Sequence, residues 1–75
     1  MKLYRVNSFP KKYPVYINPK YIATIHGVFT RKDSGYYYID IGMAGGEQIH
    51  IRRNTRKEIM DIFETIRTMI NEVNE

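Results

Sequence analysis

TRKEIMDIFETIRTMINEV, residues 55–73, is the stretch from which the fold can be read. Its apolar residues Ile59, Ile62, Phe63, Ile66, Met69, Ile70 and Val73 fall, at 3.6 residues per turn, within one arc of about 120°. Asp61, Glu64, Thr65, Thr68, Asn71 and Glu72 fill the other side, with Met60 outside the apolar arc. Thr55 followed three residues later by Glu58 is a capping box, which fixes where the helix begins. No Gly or Pro interrupts the run. A helix with one apolar face needs a partner layer, and Phe63 and Ile66 are expected almost fully buried against it.

The chain before this helix supplies that layer as short strands. Leu3 to Val6 alternates and reads as a first strand, followed by a loop from Asn7 to Pro14 (NSFPKKYP) that opposes both helix and central strand. Phe9 and Tyr13 each precede a proline, which favours extended backbone, and are expected to fold back over the sheet edge. Val15 to Ile17 is a second strand, stopped by Asn18-Pro19. Tyr21 to Phe29 is a third, with a bulge expected at Gly27. Tyr36 to Ile41 (YYYIDI) is the clearest: Tyr37, Ile39 and Ile41 face one way and Tyr36, Tyr38 and Asp40 the other. After a turn at Gly42 to Gly46, Gln48 to Arg52 returns with Ile49 and Ile51 inward and Gln48, His50 and Arg52 outward. The expected fold is α+β: one domain over residues 1–75, with residues 1–53 forming a small antiparallel meander of four or five strands. This sheet is expected to be strongly twisted or partly barrel-like, with the helix of residues 55–73 closing one face.

Composition narrows the function. Seventy-five residues without cysteine leave neither disulfides nor thiolate-bound zinc to supplement one small core, so self-association is one route to stability. A homodimer is expected, through strand edges near Tyr36 to Ile41 or through the tyrosine-bearing face. Lys2 and Arg5 are followed by no apolar segment of the secretory kind, and no run approaches a membrane span. A soluble, cytoplasmic protein is expected. The net charge of +4 conceals a division. Residues 1–57 carry eleven Lys and Arg against three Asp and Glu, a balance of +8, while residues 58–75 carry one Arg against five acids, a balance of −4. A basic sheet suits an acidic protein or a nucleic acid.

Chemistry-bearing motifs are sparse. Nucleophilic catalysis needs a nucleophile beside an oriented base, and neither Ser8 nor Ser34 has a partner signalled by spacing. His26 and His50 could meet across strands, but without a carboxylate pattern they do not read as a metal site. Gly42, Gly45 and Gly46 fit neither the dinucleotide fingerprint nor a phosphate-binding loop. No catalytic residue, cofactor or metal is expected. The suspected functional surface is the uncovered sheet face, with Tyr36, Tyr38, His50, Arg52, Arg53 and Lys20 as its binding residues. Exposed tyrosines beside arginines suit a protein interface, which is the favoured reading, as an accessory or regulatory module. Nucleic-acid binding is the alternative, with the arginines and Lys20 on phosphates and the tyrosines stacked on bases. A subunit of an enzyme that lacks its own active site is a third.

Three stretches resemble known families. Ser34 to Ile41 (SGYYYIDI) resembles the RNP1 strand of RRM domains, whose aromatics stack on bases, although residues 7–20 with three prolines cannot supply the helix an RRM places between its first two strands. Lys2-Leu3-x-Arg5-x-Asn7, then Tyr16-Ile17-Asn18-Pro19-x-x-Ile22-x-x-Ile25, then a hairpin and helix, looks like the small FlbD family of flagellar operons over most of residues 2–63. That resemblance implies a small, non-enzymatic protein connected with motility. Tyr16 to Ile25 with Tyr37 to Arg53, ending Ile49-His50-Ile51-Arg52-Arg53, is similar to the last half of LytTR DNA-binding domains.

Overall fold

The computed structural model describes residues 3–9, 11, 13–31, 33 and 35–73. Lys2, Pro10, Lys12, Lys32 and Ser34, on which parts of the loop and motif readings fall, lie outside the described residues. The chain runs β1 (Tyr4–Asn7), β2 (Pro14–Ile17), a 3-10 turn (Pro19–Tyr21), β3 (Ile22–Arg31), β4 (Tyr36–Met43), β5 (Gln48–Arg53) and α1 (Arg56–Val73). Pro14 opens a strand and does not belong to the preceding loop. At a first strand position its missing N–H costs little, and it faces Asn7 across the hairpin.

The strands form two antiparallel sheets and not one meander: β1–β2, and β3–β4–β5 in sequence order. Neither sheet closes into a barrel. The division occurs at Asn18-Pro19. The Asn18 side chain accepts a hydrogen bond from the Lys20 N–H at 3.1 Å, and the Tyr21 N–H donates to the Asn18 carbonyl at 3.0 Å. This tight turn redirects the chain, so β3 leaves its predecessor and pairs with β4. The hairpin is joined instead to the far edge of the larger sheet, where the Phe9 N–H donates to the His50 carbonyl at 2.8 Å. β4 is therefore central and paired on both sides, which excludes the expected dimerisation edge at Tyr36 to Ile41.

β3 contains two irregularities. Ile22 faces Met43 and Thr24 faces Gly42, so Ala23 is extra. His26 faces Asp40 and Phe29 faces Tyr38, so Gly27 and Val28 together oppose Ile39. The second is the bulge expected at Gly27, and the position requires glycine: a β-carbon there would collide with the Ile39 side chain. At the β4–β5 turn, Gly46 adopts φ +94°, a left-handed conformation suited to glycine.

The core lies between α1, the hairpin and one face of the three-stranded sheet. Val6 and Ile17 enter from the hairpin, Ile39, Ile41, Ile49 and Ile51 from the sheet, and Ile59 and Ile66 from the helix. Thr55 caps the helix as read, with the Glu58 N–H donating to Thr55 Oγ1 at 3.2 Å. The Glu58 carboxylate, however, accepts from the Thr55 hydroxyl at 2.8 Å, in place of the backbone N–H of a full capping box. Burial along the helix is narrower than the apolar arc. Ile66 is 1% exposed, as expected, but Phe63 is only partly buried and packs on the flank of the core with Ile62 and Ile70. Three strands spaced about 4.8 Å apart give a narrow platform, which the seam of Ile59 and Ile66, two turns apart, already fills. Val73 in the last turn is 47% exposed.

Two substitutions test this packing. Ile66→Ala should lower unfolding stability in urea by roughly 2–5 kcal/mol, with Phe63→Ala costing less than burial in the seam would demand. Gly27→Ala should cost about 1–3 kcal/mol, because the bulge has no room for the methyl group. Wild-type stability in Ile66→Ala would contradict the seam.

Candidate binding face

The sheet face turned away from the helix is built by alternation. Tyr36, Tyr38 and Asp40 point outward along β4, and His50 and Arg52 along β5. From β3, His26 faces Asp40 and Phe29 faces Tyr38. Aromatic side chains on adjacent strands stand about one strand spacing apart, which brings them into stacking range. The Phe29 and Tyr38 ring centroids are 5.2 Å apart at an interplanar angle of 32°, and those of Tyr38 and His50 are 5.0 Å apart at 33°. Tyr38 thus stands in a pile with a ring on either side. Tyr36 meets it at 6.2 Å and 59°.

Phe9 extends the pile beyond the last strand. Its backbone bond to His50 holds its ring edge-on to the imidazole, at 6.2 Å and 70°. The Arg52 guanidinium carbon lies 3.4 Å from the Phe9 ring centroid and 4.6 Å from that of Tyr36. Both distances lie within cation–π range. His50 is fixed further by Asp40, whose Oδ1 is 2.7 Å from His50 Nδ1. The pair is accessible, with side chains 30% and 40% exposed. A His–Asp pair is two parts of a nucleophilic triad, but among the described residues no hydroxyl or amine is hydrogen-bonded to His50. Nor, among those residues, do three or more His, Cys, Asp or Glu side chains gather where a metal ion could be held.

Of the six residues suspected from sequence, four come together: Tyr36, Tyr38, His50 and Arg52. Arg53 does not join them. It faces Tyr37 on the core side of the strand, donating to the Asn7 carbonyl at 3.3 Å and to the Arg52 carbonyl at 2.7 Å. Lys20 lies in the 3-10 turn packed against α1, with Nζ 6.0 Å from the Tyr21 ring. That turn adjoins the Ile22–Met43 end of the sheet, whereas Tyr36 pairs with Arg31 at the other. Phe9 and Phe29 are members of the face that sequence reading did not place there. For Phe9 the signal was its pre-proline position, which gave the fold-back but not its destination. For Phe29 it was the bulge at Gly27, which moves it to the outer side.

A shallow depression of about 410 Å³ along the helix is lined by Glu64, Thr65, Thr68, Met69 and Glu72. One helix supplies all these residues, and among the described residues no second element lines the depression. Among the described residues no helix is long and apolar enough to cross a membrane. Comparison with models of known protein families, with curated proteins and with solved structures finds no match for this chain.

Arg53 also has an electrostatic neighbour in Tyr4. Burial pushes the Tyr4 phenol above its ordinary value of 10.0, with the Arg53 charge opposing the shift. The folded state then holds this proton more tightly than the unfolded chain does. Its contribution is intact below about pH 10 and is lost as pH rises through the folded value. The urea midpoint of wild type should fall relative to that of Tyr4→Phe once pH passes about 10, and parallel profiles would contradict the assignment.

Proposed function

We propose that this chain is a small non-enzymatic binding module, an accessory or regulatory protein, that acts on another protein through the open face of its three-stranded sheet. One observation carries the reading: the Tyr38 ring stands between Phe29 and His50, so Tyr38 offers its rim and hydroxyl and not a free ring plane. Rims and a phenolic hydroxyl, beside an arginine, make the amphipathic, rigid surface that protein interfaces favour. Single-stranded nucleic acid needs the reverse, open ring planes onto which bases stack. The cations that would accompany such bases are also dispersed, since Arg53 and Lys20 lie away from the face that carries Arg52. The resemblance to the FlbD family, which implies a small protein without catalysis, is consistent with this reading.

The test compares both ligand classes on wild type and Tyr38→Ala. Fluorescence anisotropy with short single- and double-stranded oligonucleotides should show affinity no better than the non-specific range of about 10⁻⁴–10⁻⁶ M near physiological salt, unchanged by the substitution. Capture of protein from nuclease-treated extract of the source cells should be lost in Tyr38→Ala. Sub-micromolar oligonucleotide binding that Tyr38→Ala weakens would replace this reading with the nucleic-acid one.

A further inference from the structure

We infer that the partner presents a carboxylate to Arg52, and that the segment recognised is an acidic stretch of protein with apolar flanks. The inference rests on the protein-binding reading of the face and specifies its ligand.

The guanidinium of Arg52 is held from two directions, by Phe9 at 3.4 Å and Tyr36 at 4.6 Å. A guanidinium over a ring keeps its N–H donors along its edge, and that planar fork matches the two oxygens of a carboxylate. Holding the fork in place before binding removes much of the entropy cost that a free arginine would bear.

The charge is also unneutralised. Among the described residues no carboxylate lies within ion-pair distance of Arg52, and the ion pairs present are His50–Asp40 and Arg67–Glu64. Asp40, the acid on this face, is engaged by His50 at 2.7 Å and is not available to Arg52. The portion of chain that builds the face, residues 1–57, has a balance of +8, so an approaching acidic segment meets a net positive field. Two apolar rings on the face have open surface, Phe9 against the cation at 46% exposure and Phe29 on the far side of Tyr38 at 42%. A carboxylate with apolar neighbours would occupy both features at once.

A selection decides it. Short random peptides displayed on phage are selected against the folded protein, and the enriched sequences are synthesised and measured by anisotropy on wild type, Arg52→Gln, Arg52→Lys and Phe29→Ser. Enrichment in Asp and Glu is expected, with affinity falling at least about tenfold in Arg52→Gln. Arg52→Lys should not rescue it, because an ammonium keeps the charge but offers no planar fork. Changing the key peptide Glu to Gln should weaken binding to wild type by a similar factor and leave binding to Arg52→Gln unchanged. This arm leaves the protein intact and stands even if a variant folds poorly. Acidic peptides that bind Arg52→Gln as well as wild type would overturn the inference. Acid-free peptides that lose affinity in Phe29→Ser would overturn it too, while leaving the protein-binding reading in place. Peptides indifferent to both Arg52 and Phe29 would overturn both.

Discussion

The contact between the Gly27 backbone and the Ile39 side chain governs more of this molecule than any other. Ile39 is fully buried at the centre of β4, and two residues of the strand beside it, Gly27 and Val28, stand opposite it. Because side chains alternate along a strand, one extra residue reverses the facing of everything beyond it. Without the bulge, Val28 would point to solvent and Phe29 into the core. With it, Val28 packs against the core and Phe29 stands beside Tyr38. A glycine opposite a buried isoleucine thus determines whether the outer face has three stacked rings or two.

The pile on that face is rigid for reasons that do not depend on the core. Phe29, Tyr38 and His50 come from three different strands, so their spacing is set by the hydrogen-bonded ladder between the strands. Phe9 comes from a loop, and its backbone bond to the His50 carbonyl ties it to the edge of the sheet. His50 therefore serves as a junction: its carbonyl holds Phe9, its imidazole nitrogen meets Asp40, and its ring continues the stack from Tyr38. Binding to such a face needs little reorganisation of the protein.

Local signals carried much of this architecture. The helix and its cap followed from periodicity and from Thr55 with Glu58, and the facing of Tyr36 to Ile41 and of Gln48 to Arg52 followed from simple alternation. What was not legible depends on pairing between distant residues. Nothing near Phe9 announces His50, forty-one residues on, so the split into a hairpin and a separate sheet could not be read. Phe63 was expected in the core because it belongs to the apolar arc, but it stands at one border of that arc, and burial at the border depends on how wide the opposing sheet is. Arg53 seemed to extend the basic face beside Arg52, but a neighbour along a strand points the other way. Lys20 was grouped with that face by charge alone, and its position follows from the turn at Asn18-Pro19.

β3 lies at the border of its sheet, a ten-residue strand with neighbours on one side in the strand order. A flat strand of that length would be a template on which further strands could add, the first step of edge-to-edge aggregation. Its two bulges, at Ala23 and at Gly27-Val28, break the even spacing of N–H and C=O groups along it. A visiting strand could match the border over only a few residues before losing register. The irregularity that turns Phe29 outward thus also makes the backbone border a poor docking edge, and leaves side-chain chemistry to select what binds.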